Sequence, residues 1–329
     1  MRRSARIFTA LLVTLVVVVA ALAALTQAGV FWIERANPPQ GKILPVAGGT
    51  IHVLDISPRD VKGPPIVMIH GATSTLGTMR LPVGDELAKT HRVILIDRSG
   101  HGWSERDDLQ KSSPATQARM IDDALGQLGI ERAIIVVHSL AGALGALMPL
   151  NYPQRTAGVV MLAPVAYPWP GGVGEYNRIM TLPVIGPLLA YTITLPLGTL
   201  LMEPGVRAVF SPQTPPPDYV AITQARLVLR PRNFLANAWD LTTLKAAVAE
   251  QSPRYDQIRR PITVITGDAD TIVSPTIHSR RFAATVPGAK LIVLPGVGHM
   301  VQNAAPELVI REIESMIAKL EPPQQSSLN

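Results

Sequence analysis

Two kinds of apolar pattern run along the chain. One is a single long stretch near the start. Ile7 to Leu25 contains no charged side chain, and the apolar character continues, broken by Thr26, Gln27 and Gly29, through Val30, Phe31, Trp32 and Ile33. The other is a series of short continuous runs: Pro65–Ile69, Arg92–Ile96, Ala133–Val137, Val159–Leu162, Ile262–Ile265 and Leu291–Leu294, preceded by an alternating β-branched run over Thr50–Ile56. Continuous runs of this length predict strands buried on both faces of a sheet. Between several of them the period becomes helical. Ala115–Leu128 carries Met120, Ile121, Ala124, Leu125 and Leu128 on one face behind Pro114, where a missing N–H is harmless. Ala141–Leu150, Pro275–Ala284 and Pro306–Leu320 read as further helices. Strand and helix in alternation predict an α/β fold with a doubly wound, mostly parallel sheet.

The alternation lapses between Pro164 and Pro261. This region is rich in Pro and Leu, and within it Tyr219–Leu229 and Phe234–Ala249 have the spacing of two amphipathic helices. It reads as a helical cap inserted over the sheet edge. The expected organisation is a cytoplasmic tip and transmembrane anchor (1–36), a first part of the core (37–164), a cap or lid (165–256), a second part of the core (257–321) and a polar, disordered tail (322–329). The apolar stretch Leu182–Met202 has three readings: the lining of a lipophilic pocket, a face against a bilayer, or the cap's own core.

The N-terminal stretch is long enough to span a bilayer, which takes ~20 predominantly apolar residues, and longer than the ~7–15 of a secretory signal. An uncleaved anchor is the reading, with cleavage within the Ala-rich run Ala20–Ala24 and secretion as the alternative. Arg2, Arg3 and Arg6 precede the span, while Glu34 and Arg35 nearly cancel beyond it, so the N-terminus is expected in the cytoplasm and the body on the other side. Phe31 and Trp32 would sit at the far interface. Asn37-Pro38-Pro39-Gln40-Gly41 reads as the linker to the body.

Composition narrows the chemistry. Lys and Arg number 30 against 24 Asp and Glu, and the three N-terminal arginines supply half of the excess. No basic stripe with interleaved aromatics follows, so nucleic acid is not an expected partner. The basic groups at Arg226–Arg232 and Arg259–Arg260 read as solvated faces. The chain has no cysteine, which excludes a thiol nucleophile, disulfides and thiolate metal sites. No metal-ligand spacing joins His70, His101 and His138, whose expected roles are to shape loops, and Glu105 stands where a nucleotide-binding glycine loop would need its third glycine. No metal or cofactor is expected.

The residues that can carry chemistry fall at strand ends, where open α/β sheets bind ligands. Ser139 lies between an apolar strand and a small-residue helix, the setting of a nucleophile elbow. A serine needs an adjacent base, and that base an orienting carboxylate. His299 follows the turn Gly296-Val297-Gly298. Asp270, just beyond the strand ending at Gly267, is the expected orienter, with Asp268 as its competitor and a candidate to cap the turn.

These segments resemble the α/β-hydrolase superfamily over roughly residues 42–320. The matching motifs are His70-Gly71-Ala72, Asp97-Arg98-Ser99-Gly100-His101-Gly102-Trp103-Ser104, His138-Ser139-Leu140-Ala141-Gly142, Tyr152-Pro153-Gln154-Arg155, Gly267-Asp268-Ala269-Asp270 with Pro275, and Gly296-Val297-Gly298-His299. The family order is Ser, Asp, His, and an insertion stands where the family carries its cap. The resemblance implies a Ser139–Asp270–His299 triad and an oxyanion hole of the Ala72 and Leu140 N–H groups. It departs from the family's Gly-x-Ser-x-Gly at Val137 and Ala141. Val137, the larger change, is expected to tilt the elbow or shift neighbouring side chains. The implied activity is hydrolysis of a carboxylic ester with an apolar acyl or alcohol part. C–C bond hydrolysis, perhydrolysis or acyl transfer by the same triad is the alternative, and a non-catalytic binding protein on the same fold is another.

Overall fold

The computed structural model describes residues 2–57, 61 and 63–320; the tail expected to be disordered lies outside them. Its strands are β1 (Lys42–Val46), β2 (Gly49–Asp55), β3 (Ile66–Ile69), β4 (Val93–Ile96), β5 (Glu105–Arg106), β6 (Ala133–His138), β7 (Thr156–Leu162), β8 (Ile262–Gly267) and β9 (Lys290–Leu294). They form one sheet in the order β1-β2-β4-β3-β6-β7-β8-β9, with β5 paired to β2. The β2 pairings are antiparallel, and every pair from β4 to β9 is parallel. β3, β4, β6, β7 and β8 are buried along their whole length, which is why they appear in the sequence as unbroken apolar runs. β1 is an edge strand with only two half-buried residues and a proline, so the hydrophobic pattern does not mark it.

Helices cover both faces. α1 is Arg2–Ala36, α2 Pro114–Gln127, α3 Gly142–Asn151, α4 Glu175–Met180, α5 Ile185–Thr192, α6 Thr194–Phe210, α7 Pro231–Gln251, α8 Arg281–Thr285 and α9 Pro306–Leu320. α2 starts where its signals lie: the Ser113 hydroxyl accepts the Thr116 N–H at 3.2 Å and Pro114 follows. Met120, Ile121, Leu125 and Leu144 from α2 and α3 pack on one face of the sheet with Ile135 and Val264. Val309, Ile313 and Ile317 of α9 pack on the other with Val136 and Val160. Chain order runs outward from β3 to β4 on one side and to β6 on the other, so the order of connection reverses between the parallel strands β3 and β6. The crevice beyond their carboxyl ends is where such a sheet binds ligands.

Residues 165–257 form helices and turns. α7 extends a turn beyond the expected Phe234–Ala249 at its start, with Pro231 in the first turn. Tyr219–Leu229 is not one helix: Tyr219–Ile222 and Ala225–Leu229 are separate turns divided by Gln224 at φ 55°. The Thr223 carbonyl, which a continuous helix would pair with residue 227, instead accepts the Thr75 hydroxyl at 2.6 Å. Leu182–Met202 becomes α5 and α6, bent by 69° at their junction. Ala190 and Leu195 are buried in clusters with other residues of the insertion, while Val184, Leu188, Leu200 and Leu201 are exposed.

α1 is long and apolar enough to cross a membrane. Its last turns pack on the body. Thr26 is fully buried and donates its hydroxyl to the Thr192 carbonyl at 3.1 Å, and Ile33 joins Leu195, Leu227 and Leu229. Arg230, expected on a solvated face, is instead largely covered: it stacks 4.5 Å from the Trp103 ring and pairs with Glu34 of α1 at 2.9 Å. The sequence signal for basic residues does not reveal an aromatic partner brought from a distant loop.

Candidate active site

The chain leaves β6 in extended conformation at His138 and reverses at Ser139, whose φ is 56°. A left-handed non-glycine residue costs of order 1–3 kcal/mol and persists only where its surroundings over-determine it. Here the Val165 N–H binds the Ser139 carbonyl at 2.9 Å. The Gly71 backbone comes so close that a Cβ there would lie 2.8 Å from the Ser139 Cβ. The turn feeds α3, whose small residues allow it to sit against the sheet.

His299 arrives from the far side of the crevice. The Asp268 carboxylate accepts the Gly296 N–H at 2.7 Å, closing the turn before it. Gln213, from the inserted region, accepts the Gly298 N–H and donates to the Gly296 carbonyl, both at 2.9 Å. This strap was not legible in the sequence. His299 Nε2 lies 2.9 Å from Ser139 Oγ, and Nδ1 lies 2.8 Å from Asp270 Oδ2. The second Asp270 oxygen accepts the N–H groups of Ile272 and Val273 at 2.8 and 2.9 Å. Burial alone would raise the Asp270 carboxyl, but the bond to His299 and the two amides outweigh it and hold it below the ordinary carboxylate range. An ionised Asp270 makes Nδ1 the protonated nitrogen and leaves Nε2 to accept the serine hydroxyl.

Ala72 and Leu140 follow the carboxyl ends of the adjacent strands β3 and β6. Among the described residues the Ala72 N–H donates in none of the loop hydrogen bonds, whereas the next amide, Thr73, is bound by Asn237 Oδ1 at 2.7 Å. Val137 is fully buried, and its methyl groups lie over Gly145 of α3, where a Cβ would meet Val137 Cγ2 at 2.6 Å. The volume that Val137 adds at the family's glycine position is matched by the small Gly145 on the facing helix. Gly145→Ala should therefore destabilise by ~1–3 kcal/mol, the usual cost of overpacking. The same change in a Val137→Ala background should cost much less, a coupling that a double-mutant cycle in denaturant would read.

A buried polar network underlies the His70–Thr73 loop. Arg98 donates to the His70 and Gly71 carbonyls, each at 3.0 Å, and to Gln117. Its charge is met by Asp240 of α7 at 2.5 Å, which also binds Arg106 at 2.8 Å and the His101 ring at 2.9 Å. Burial would raise the Asp240 carboxyl, but Arg106 and Arg98 prevail and hold it far below its ordinary range. Asp97, at the end of β4, binds the Leu76 and Trp103 amides and the His52 ring. His70 and His101 thus shape loops, and His138 packs 4.8 Å from the His299 ring with its Nε2 on the His299 carbonyl. Sequence reading missed Asp240 and Asn237, which lie three residues apart and so share one face of α7.

Burial lowers His101 to about 4, with Arg98 adding to it, and lowers His138 to about 3, with His299 adding to it. Burial also lowers His278, whose ring accepts the Ala166 and Tyr167 amides, to about 4. In the unfolded chain these rings take up protons near pH 6.5, and in the fold they resist until near pH 4 or 3. Their stabilisation is therefore full above pH 6.5 and is lost as the pH falls toward 4, at up to ~1.4 kcal/mol per pH unit for each ring. The melting temperature should drop between pH 7 and pH 5 in a fluorimetric scan; a flat profile would contradict neutral burial.

The model of the alpha/beta hydrolase fold family matches residues 64–303, and the chain belongs to that family. It is similar to a 2-hydroxy-6-oxo-6-phenylhexa-2,4-dienoate hydrolase of Burkholderia cepacia, 26% identical over 73% of this chain and 83% of the relative. A 2-hydroxy-6-oxononadienedioate/2-hydroxy-6-oxononatrienedioate hydrolase of Comamonas testosteroni is 28% identical over the same shares. Among solved structures, the enol-lactonase of Burkholderia xenovorans LB400 superimposes with a TM-score of 0.68 at 19% identity, covering 84% of this chain and all of that one. The carboxylesterase CesB of Bacillus subtilis superimposes with a TM-score of 0.67 at 16% identity, covering 91% and 99%. The chain is an enzyme of the hydrolase class.

Proposed function

We propose that the enzyme cleaves a carboxylic ester through a Ser139–His299–Asp270 triad. The observation that carries this reading is the unbroken line of hydrogen bonds from Ser139 Oγ through His299 to an ionised Asp270. Ser139 attacks the ester carbonyl as His299 Nε2 takes its proton. The Ala72 and Leu140 amides receive the oxyanion, each such donor being worth ~10²–10³ in rate. His299 returns the proton to the leaving alcohol, and the acyl group stays on Ser139. Water, deprotonated by the same nitrogen, then releases the acid. Beside Leu140, the residues Val165, Leu241, Leu244, Val273 and Trp169 cluster between core and insertion, which suits an apolar acyl or alcohol part.

A fluorophosphonate probe should label Ser139 stoichiometrically, as read by peptide mass spectrometry, with no label in Ser139→Ala. A folded chain that stays unlabelled with the insertion opened by detergent would overturn the assignment. Hydrolysis of a C–C bond by the same groups is the second reading, favoured by the two dienoate hydrolases. Parallel assays on p-nitrophenyl esters and on a 2-hydroxy-6-oxo-dienoate distinguish the two.

The same proposal takes α1 as an uncleaved membrane anchor with the N-terminus in the cytoplasm and the body across the membrane. Support comes from the arginines at its start and from its last turns, which belong to the packing of the body.

A further inference from the structure

We propose that the apolar face of α5 and α6 is seated in the surface of the same bilayer that α1 crosses, so that the inserted region meets lipid directly. This rests on the reading of α1 as a span. Among the described residues outside α1 and 176–201, the exposed large apolar side chains are only Ile43, Ile222 and Ile272. Within that segment Val184, Ile185, Leu188, Leu197, Leu200 and Leu201 all face out, Val184 at 77% and Leu200 at 76% exposure. No charged residue occurs from Leu182 to Met202. A contiguous apolar surface of this kind marks an interaction site. Val184 sharpens the point: it stands at φ 68°, a backbone conformation that favours glycine, and yet is a bare β-branched side chain.

Helix arithmetic sets the depth of this face. Counted from Ile7, the 20 residues to Thr26 cover about 30 Å at helical rise, the thickness of a hydrocarbon core, and the uncharged run goes on to Ile33. Thr26 is therefore at the far edge of that core, and there it binds the Thr192 carbonyl at the end of α5. One turn on, Gly29 lies against Leu195 in the first turn of α6, a Cβ there falling 2.8 Å from Leu195 Cδ2. The α5–α6 junction is thus tied to α1 at the level where the span ends. α5 is 8 residues and α6 17, bent by 69°, a shape that lies along an interface rather than through it. Tyr176, Tyr191, Phe31 and Trp32 are exposed in the same region, the residue types that favour the headgroup layer. From Ile7 to Val18 every residue of α1 is uncharged and exposed, as on a lipid-facing helix, which favours lipid over a second copy of the chain as occupant.

The cysteine-free sequence permits a direct test. Full-length variants Val184→Cys, Leu200→Cys, Val16→Cys and Ile43→Cys, each carrying an environment-sensitive fluorophore, would be reconstituted in vesicles of phosphatidylcholine and phosphatidylglycerol with brominated acyl chains. The labels at 184 and 200 should lose most of their emission, more with bromine near the headgroup than near the chain end. The label at 16 should show the opposite depth dependence, and the label at 43 no quenching. Quenching at 16 without quenching at 184 and 200 would overturn the seated face while leaving the span. No quenching at 16 would overturn the span. Blue-shifted emission at 184 and 200 that lipid bromine does not touch would show the face covered by protein, and would also overturn the proposal.

Discussion

Ser139→Ala should lower kcat on any accepted ester by about 10⁴-fold or more, while the melting temperature barely moves. The rate term follows from the role: without the hydroxyl there is no acyl-enzyme, and residual turnover rests on the oxyanion amides and binding alone. The stability term follows from the geometry. Alanine is strained at φ 56° much as serine is, and only the 2.9 Å bond to His299 is lost, a net effect of ~1 kcal/mol. Asp270→Asn tests the other end of the line. The amide keeps the shape but can present an N–H toward His299 Nδ1, favouring the tautomer that protonates Nε2, and a loss of roughly 10⁴-fold is expected there too. Retention of a tenth or more of the activity in Ser139→Ala would remove the serine from the mechanism.

The residues of this site were legible in the sequence because each stands at a place where the hydrophobic pattern stops. Ser139 follows the last buried residue of β6, Asp270 lies just beyond β8, and His299 follows the turn after β9. Strands buried on both faces announce their ends sharply, and the chain order of the three residues then carries the rest. Edge elements were less visible. β1 and β5 lean on β2 with little apolar burial of their own. Val137 shows a different limit. Its size against the family glycine suggested a tilted elbow, but the fit is decided by Gly145, eight residues away in sequence and one helix away in space.

The inserted region was read least well, for a physical reason. Its helices take their positions from long-range polar contacts that leave no period in the sequence: Thr75 with the Thr223 carbonyl, Gln213 with the His299 loop, Asn237 with the Thr73 amide and Arg230 with Glu34. The last three join the insertion to the nucleophile crevice or to α1. The insertion therefore meets the crevice at Gln213 and, from α7, at Asn237.

Asp240→Ala should be the most destabilising single change in that coupling, costing about 3–5 kcal/mol and lowering the melting temperature by roughly 10 °C. Asp240 is fully buried beside Arg98 and Arg106, both of which are themselves buried. The cluster is not a net stabiliser in any simple sense. Burial pushes the Arg98 guanidinium down from its ordinary value, and Asp240 only partly offsets this. What the carboxylate prevents is the far larger cost of two guanidinium groups left without a counter-charge away from water. On the proposed mechanism the consequence reaches the chemistry, because Arg98 holds the His70 and Gly71 carbonyls just before the Ala72 amide. The fraction that stays folded at low temperature should show a reduced kcat with KM less affected, since oxyanion support acts in the transition state. Asp240→Asn, which keeps an acceptor and loses the charge, should fall between the two. A variant within 1 kcal/mol of the parent in denaturant unfolding would show that water or a rearranged side chain replaces the carboxylate, and would detach α7 from the control of the oxyanion loop.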